Sequence, residues 1–100
     1  MRYGARIDKN QPAIVAALRA AGCSVTPLHA VGAGCPDLLV GKLNKNFLLE
    51  VKDATGRHYT KGQYLTPAQQ KYHFLWQGQV DIVWTPEEAV SVVNWLLEGA

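Results

Sequence analysis

The sequence predicts an α/β protein in which a mixed sheet is flanked by helices, in the order α-β-β-β-α-β-α. Apolar residues recur at helical spacing near both ends of the chain. Two apolar runs in the middle are separated by a short turn, and a further strand pattern follows the second helix. Because one hundred residues with 48% hydrophobic and 18% charged side chains suit one globular core, we expect a single domain over residues 1–100.

The helices are predicted from their ends and from their apolar faces. The first extends from about Asn10 to Ala21 and is closed by Gly22. The second opens with Thr66 as N-cap and Gln69 three residues later, the spacing of a capping box, and Thr85 opens the last helix in a similar way. The side chains expected to face the core are Ile14, Val15, Leu18 and Ala21 in the first helix and Ala89, Val92, Val93, Leu96 and Leu97 in the last.

Four segments have the composition of strands. Two of them form a hairpin whose turn we place at Asn44 and Lys45. The last strand follows a helix, so a right-handed crossover can set it parallel to its neighbour. Apolar residues occupy alternate and intervening positions of the hairpin, which indicates a sheet covered on both faces. The predicted strands are about Ser24–His29, Asp37–Leu43, Asn46–Lys52 and Val80–Trp84.

Neither the net charge nor the cysteine content identifies a class of function. The net charge of +2 permits DNA as a partner without indicating it, because a strong electrostatic footprint needs clustered basic residues. Cys23 and Cys35 form no CxxC pair, so we expect two reduced, partly buried thiols. No targeting signal and no apolar run long enough to span a membrane is visible, and we therefore expect a cytoplasmic protein that contacts no membrane.

Three charged residues stand in the otherwise apolar hairpin, and they are the candidates for chemistry. With the turn at Asn44 and Lys45, opposed residues have numbers that sum to 89, which pairs Asp37 with Lys52 and makes Asp37 and Glu50 diagonal neighbours on one face. Two carboxylates and a backbone carbonyl form a hard oxygen site that suits Mg²⁺ or Mn²⁺. A structural ion pair between Asp37 and Lys52 explains the same residues equally well.

The motifs around these residues resemble a known nuclease family. Gly34-Cys35-Pro36-Asp37-Leu38-Leu39-Val40, followed by Leu49-Glu50-Val51-Lys52, is similar to the PD-(D/E)XK nuclease signature. The later run from Leu65 to His73, and then Trp76-Gln77-Gly78, resembles the virus-type replication-repair nuclease (VRR-NUC) branch of that superfamily, in its compact stand-alone form from phages or bacteria. The resemblance covers most of the chain, from about Asp8 to Ala89.

The resemblance implies a restriction-endonuclease-like core and a set of catalytic roles. Asp37, Glu50 and the backbone carbonyl of Val51 would hold the metal, Lys52 would be the catalytic lysine, and Gln69 would point into the site. Gln69 is also explained as the third residue of the capping box, which leaves two interpretations open. Compact members of the family are expected to act as homodimers on branched DNA such as Holliday junctions.

Four further residues are candidates for DNA contact. The family's first helix often carries an acidic residue that faces the site; here Gln11 stands in its place, or the role is absent. Gly34 could let a DNA backbone approach, although a tight turn explains it as well. Arg57 and Lys61 could contact phosphate from the polar loop after Lys52, and a solvated loop explains them as well.

The function that these observations predict is a divalent-metal-dependent DNA endonuclease that hydrolyses phosphodiester bonds. It would select DNA by branched shape rather than by sequence, because so short a chain leaves little room for base-reading elements. Two other classes remain open. One is a catalytically silent DNA-binding module of the same fold, and the other is a viral structural protein in which the hairpin charges form an ion pair.

Overall fold

The computed structural model describes residues 7–53 and 64–99. Seven elements follow one another in the predicted order, and they form a four-stranded mixed sheet with three helices. The α/β prediction is therefore confirmed for the described residues. The elements are α1 (Gln11–Ala20), β1 (Ser24–Pro27), β2 (Leu38–Lys42), β3 (Lys45–Val51), α2 (Pro67–Leu75), β4 (Val80–Val83) and α3 (Pro86–Gly99).

The sheet has the order β1-β2-β3-β4, with β1 to β3 antiparallel and β4 parallel to β3. The parallel pairing of the last strand is as predicted, because the chain crosses over through α2 before it returns to the sheet. This topology places β2 and β3 in the middle of the sheet. Strand β3, which carries Glu50, and strand β2, which begins just after Asp37, therefore each have a neighbouring strand on both sides.

Helices α1 and α3 pack against each other and against one face of the sheet. Helical spacing brings Ile14 and Leu18 to the core side of α1, where both are fully buried. The same spacing places Ala89, Val93 and Leu96 there from α3. The strands contribute alternate residues to this core: Val25, Leu38, Val40, Phe47, Leu49, Val51 and Val83.

The hairpin register differs from the predicted one by two residues. Its turn is Leu43 and Asn44, both with positive φ (52° and 66°), and the strands pair Leu38 with Leu49 and Val40 with Phe47. Opposed residues therefore sum to 87 rather than 89, and the predicted pairing of Asp37 with Lys52 is wrong. The sequence could not distinguish these registers, because a shift of two residues leaves every side chain on the same face.

The second face of the sheet is only partly covered. All of β3 from Phe47 to Val51 is buried, as predicted, but Leu39 on β2 is 38% exposed, so the expectation of full cover is wrong for β2. The short helix α2 has no fully buried residue and lies over the carboxyl end of β3. The face beside α2 is where the charged residues of the hairpin lie.

None of the helices in the described ranges has the length and apolar character needed to cross a membrane. Two tryptophans lie on the surface: Trp76 is 44% exposed and Trp95 is 66% exposed. Trp84 is half-buried and packs edge-on against Tyr64, with 5.5 Å between ring centroids. Cys23 and Cys35 are both free thiols, as predicted.

Candidate functional site

Asp37 lies at the entrance to β2, opposite the carboxyl end of β3. One step beyond the pair Leu38 and Leu49, the observed register sets Asp37 directly across from Glu50. Its carboxylate Oδ2 accepts a hydrogen bond of 2.7 Å from the backbone N–H of Val51, and its backbone carbonyl accepts one of 2.7 Å from the N–H of Leu28. The Asp37 carboxylate is thus fixed by β3, and its backbone is fixed by the residue that follows β1.

Glu50 is the most deeply buried charged residue of the site, with 2% of its surface exposed. Its Oε2 accepts a hydrogen bond of 3.2 Å from Gln69 Nε2, whereas Oε1 is buried and accepts none. Burial, a hydrogen bond to the Asp37 carboxyl and the negative charge of Asp37 raise the pKa of Glu50 to about 9, against the opposing charge of Lys52. In the metal-free protein the protonated form of Glu50 is therefore favoured at neutral pH.

Lys52 follows β3 and points to the same side of the sheet as Glu50. Its Nζ donates a hydrogen bond of 2.8 Å to Gln69 Oε1 and lies 4.0 Å from Glu50 Oε2. Only 8% of the residue is exposed. The ammonium group is thus held beside the carboxyl pair by an amide, rather than by a close ion pair of its own.

Gln69 combines the two roles that the sequence left as alternatives. Thr66 and Gln69 form the predicted capping box, with Gln69 Oε1 accepting from the Thr66 backbone N–H at 2.9 Å. The same Oε1 accepts from Lys52, while Nε2 donates to Glu50. One side chain therefore sets where α2 begins and joins α2 to both charged residues of β3.

Three residues of the site were missed by the sequence prediction. His73 stands four residues after Gln69, on the same face of α2, with Nε2 3.6 Å from Glu50 Oε1. Burial and the charge of Lys52 lower the pKa of His73. Asn10 donates hydrogen bonds to the carbonyls of Lys52 (2.9 Å) and Trp84 (2.7 Å), which ties the start of α1 to the strand ends. Helical spacing from Gln69 was the available signal for His73; Asn10 gave none.

Asp8 is the third missed residue, and it lies close enough for its negative charge to raise the pKa of Glu50 as well. The negative charges of Asp37 and Asp8 therefore both disfavour ionisation of Glu50. Among the described residues, no group of three or more histidine, cysteine, aspartate or glutamate side chains is arranged to hold a metal ion. A cation at this site would therefore be held by one or two side chains. Mg²⁺ is commonly bound in this way, because it keeps several of its water ligands and uses one or two carboxylates.

The site fits such a cation by the chemistry of its donors. Two facing carboxyl groups, one with an oxygen that is buried and accepts no hydrogen bond, are destabilised as a pair of anions. A divalent cation between them would replace the proton on Glu50 and compensate both charges. Lys52 and His73 lie beside Glu50, so that nitrogen groups border the hard oxygen donors.

The remaining predicted contacts are placed differently. Gln11 is 3% exposed and lines a cavity between α1 and the end of β1, and no hydrogen bond links it to Asp37 or Glu50. Gly34 has a φ of 79°, and a Cβ there would lie 2.3 Å from the carbonyl oxygen of Ala68. Its lack of a side chain is therefore explained by close packing against α2. Arg57 and Lys61 lie outside the described residues.

Comparison of the chain with models of protein families, with characterised proteins and with solved structures found no match.

Proposed function

We propose that the protein is a divalent-metal-dependent phosphodiesterase that cleaves DNA. The observation that carries the proposal is the pair of facing carboxyl groups of Asp37 and Glu50, bordered by the ammonium group of Lys52. Burial of Glu50 beside the half-buried Asp37 costs free energy, which an ion pair of Glu50 with Lys52 does not offset at 4.0 Å. The arrangement suits a site that is completed by Mg²⁺ or Mn²⁺ and by the phosphate of a substrate.

Each residue has a definite task in this proposal. Asp37, Glu50 and the Val51 carbonyl would hold the ion, and Val51 also fixes the Asp37 carboxylate through its N–H. A divalent ion supplies Lewis-acid polarisation of the scissile phosphate and makes water more acidic. Lys52 would offset the negative charge that develops on the phosphate as the nucleophile attacks.

Gln69 is a positioning residue for this chemistry. Its Oε1 holds the Lys52 ammonium group at 2.8 Å, and its Nε2 holds the Glu50 carboxylate at 3.2 Å. The amide keeps the Lys52 ammonium group from forming a close ion pair with Glu50, so that both groups would be available to the metal and the substrate. This separation distinguishes the site from a closed structural salt bridge, in which the charges would satisfy each other.

The proposal also covers the family, the fold and the oligomeric state of the protein. The element order and the mixed sheet are those expected of a restriction-endonuclease-like core, and the motifs support membership of the VRR-NUC family. We further propose a cytoplasmic homodimer that selects branched DNA, since two sites on one junction allow paired cuts. Large exposed apolar side chains give a dimer the surface it needs: Phe74 on α2 is 85% exposed and Trp95 on α3 is 66% exposed.

The test is cleavage of labelled four-way-junction, flap and duplex DNA with Mg²⁺, with Mn²⁺ or with EDTA. Wild type, Asp37→Asn, Lys52→Met and Glu98→Gln are compared; the last removes one negative charge from an exposed position on α3. We expect metal-dependent cleavage that is fastest on the junction. We expect it to be lost in Asp37→Asn, about a hundredfold slower in Lys52→Met and unchanged in Glu98→Gln.

Other results would move the assignment to another class. Tight junction binding without cleavage in any metal would indicate a DNA-binding module. Neither binding nor cleavage would leave the hairpin charges as structural features. Equal cleavage by wild type and Asp37→Asn would contradict the assigned site even if the nuclease activity is real.

A further inference from the structure

A groove of about 420 Å³ lies between α2 and the loop that precedes β2. Its volume suits a small planar group, because ligand sites usually measure roughly 300–1,000 Å³. The walls are mainly apolar, and the lining residues are Ala33, Ala68, Lys71, Tyr72, Leu75 and Trp76. All of them are exposed except Tyr72, which is half-buried, so a ligand can reach the groove from solvent.

Two aromatic rings of the groove are stacked on each other and held by their surroundings. The ring planes of Tyr72 and Trp76 are 18° apart, and their centroids are separated by 5.5 Å. The Tyr72 hydroxyl lies within hydrogen-bonding reach of the Cys35 thiol. The indole of Trp76 packs closely on Gly78, where a Cβ would lie 2.8 Å from Trp76 Nε1. The two rings therefore form a flat surface that exists before any ligand binds.

The groove and the proposed active site lie on neighbouring faces of α2. Gln69 follows the groove residue Ala68, and its Nε2 lies 3.2 Å from Glu50 Oε2. His73 follows the groove residue Tyr72, and its Nε2 lies 3.6 Å from Glu50 Oε1. Successive residues of a helix are turned by about 100°, and a helix with its side chains is about 10–12 Å across. The part of the groove at Ala68 and Tyr72 is therefore within about 12 Å of the Glu50 carboxyl group.

The groove carries a positive charge and, among its described lining residues, no negative one. Lys71 is exposed and forms no hydrogen bond or ion pair with another described residue. Aromatic faces beside a free ammonium group complement an unpaired nucleic-acid strand, because its bases are flat rings and its phosphates are negative. An apolar protein segment in the groove would leave the charge of Lys71 without a counterpart.

From these observations, and resting on the proposed function, we infer that the groove binds unpaired bases of the substrate DNA. A base extends the stack of Tyr72 and Trp76, and Lys71 holds a neighbouring phosphate. A base enters the groove only when it has left the helical stack, which costs least at a branch point, a mismatch or a single-stranded end. The groove thus supplies a physical basis for selection of branched DNA.

The test is binding of a short single-stranded oligothymidylate to the protein in EDTA, followed by tryptophan fluorescence. An abasic strand of the same length is the control, because it carries the same phosphates without bases. We expect the oligothymidylate to bind and to quench the fluorescence of Trp76, since a stacked base quenches an indole. The abasic strand should bind at least about tenfold more weakly and leave the fluorescence unchanged, because it lacks the stacking contribution of the bases.

Variants of Trp76 separate stacking from simple apolar contact. Trp76→Leu keeps an apolar side chain without the ring, and it should weaken oligothymidylate binding about tenfold and abolish the quenching. Trp76→Phe restores a flat ring and should regain most of that affinity. Trp95→Leu makes the same change at an exposed position on α3 and should leave affinity and quenching unchanged, because a short strand occupies the groove of one protomer. If Trp76→Leu melts early, the comparison of the two strands on wild type still decides.

Variants of Lys71 test the contact with phosphate. Lys71→Gln should weaken oligothymidylate binding and lower the slope of log affinity against log salt concentration by about 0.7, the contribution of one phosphate contact to a single strand. Lys45→Gln removes the same charge from an exposed position on β3 and should leave the slope unchanged.

Equal affinity for the two strands, or wild-type affinity in a folded Trp76→Leu, would overturn the inference. Loss of self-association in Trp76→Leu with unchanged oligothymidylate binding would assign the groove to a second copy of the chain instead. The outcome is independent of cleavage. Oligothymidylate binding that depends on Trp76, in a protein that cleaves no DNA, would contradict the proposed function alone. Cleavage without such binding would contradict this inference alone.

Discussion

At the scale of single residues, the burial of Glu50 opposite Asp37 makes the free energy of unfolding depend on pH. The folded protein holds a proton on Glu50 up to a pH of about 9, whereas the unfolded chain releases it near the ordinary pKa of 4.5. Between these values the folded state binds more protons, so stability is fully present below pH 4.5 and is lost as pH rises toward 9.

Glu50→Gln should remove this dependence in EDTA, because the amide stays neutral at every pH. At pH 8 the variant should melt higher than wild type by at least about 4–8 °C, the shift that roughly 1 kcal/mol produces in a domain of this size. Thermal melts from pH 4 to 9 provide the measurement. Parallel curves for wild type and variant across this range would show that Glu50 is not the group responsible.

Asp37 should show opposite effects for two substitutions. In EDTA, Asp37→Asn should leave the melting temperature unchanged or raise it, since Asn keeps an acceptor for the Val51 N–H and removes the charge facing Glu50. Asp37→Ala leaves that N–H without its partner and should cost about 1–3 kcal/mol. A large loss of stability in Asp37→Asn, measured by denaturant titration, would favour the structural ion pair.

The sequence allowed these two acids to be predicted because charge in an apolar hairpin is costly and therefore conspicuous. Their exact opposition was not predicted, since registers two residues apart give identical face patterns. Asn10 and Asp8 could not be found in this way: both precede α1 in a polar segment, and only the tertiary fold brings them beside the strand ends.

At the scale of elements, the position of α2 depends on its contact with the loop before β2. Gly34 packs on the Ala68 carbonyl with no space for a Cβ and has a positive φ. Gly34→Ala should therefore be destabilising and should displace Gln69 from Lys52. Gly22→Ala is the control, because Gly22 has a φ of 92° and open space around it, so only backbone strain of about 1–2 kcal/mol applies.

Denaturant titration of both glycine variants provides the comparison. Gly34→Ala should lose more stability than Gly22→Ala and should also lose activity, whereas Gly22→Ala should keep its activity. If the two lose equal amounts and both stay active, the close approach of the loop to α2 does not position the site.

The capping box of α2 can be separated from its role in the site. Gln69→Glu keeps an acceptor for Thr66 and Lys52, and glutamate serves a capping box as well as glutamine does. It replaces the donor to Glu50 with a third carboxylate. We expect α2 to remain folded by circular dichroism while cleavage falls at least about tenfold. Full activity in this variant would reduce Gln69 to a capping residue.

Some features of the helices and strands could be predicted from local sequence, whereas others depend on tertiary packing. The capping box of α2, the start of α3 at Thr85 and the crossover to a parallel strand are local signals, and the structure confirms them. Cover of the second face was predicted from hydrophobicity and proved incomplete at Leu39, which lies on β2, whereas α2 contacts the end of β3. Apolar composition alone does not show where a helix comes to lie.

At the scale of the whole molecule, one face of the sheet provides stability and the other provides the proposed chemistry. Helices α1 and α3 bury the core against the first face. On the second face, Glu50 and Lys52 contact Gln69 of α2. Asn10 links the start of α1 to the nearby strand ends. The site is thus assembled from parts of the chain more than 40 residues apart, which a 100-residue fold can hold only because the sheet fixes them.

The central claim is that Asp37 and Glu50 hold a divalent cation between them, and titration of the metal-free protein with Mn²⁺, followed by electron paramagnetic resonance, tests it most directly. We predict saturable binding that is lost in Asp37→Asn and in Glu50→Gln and retained in Glu98→Gln, which removes the same charge from an exposed position. Binding that is equally strong in all four proteins, or absent from wild type while DNA is still cleaved, would contradict the account.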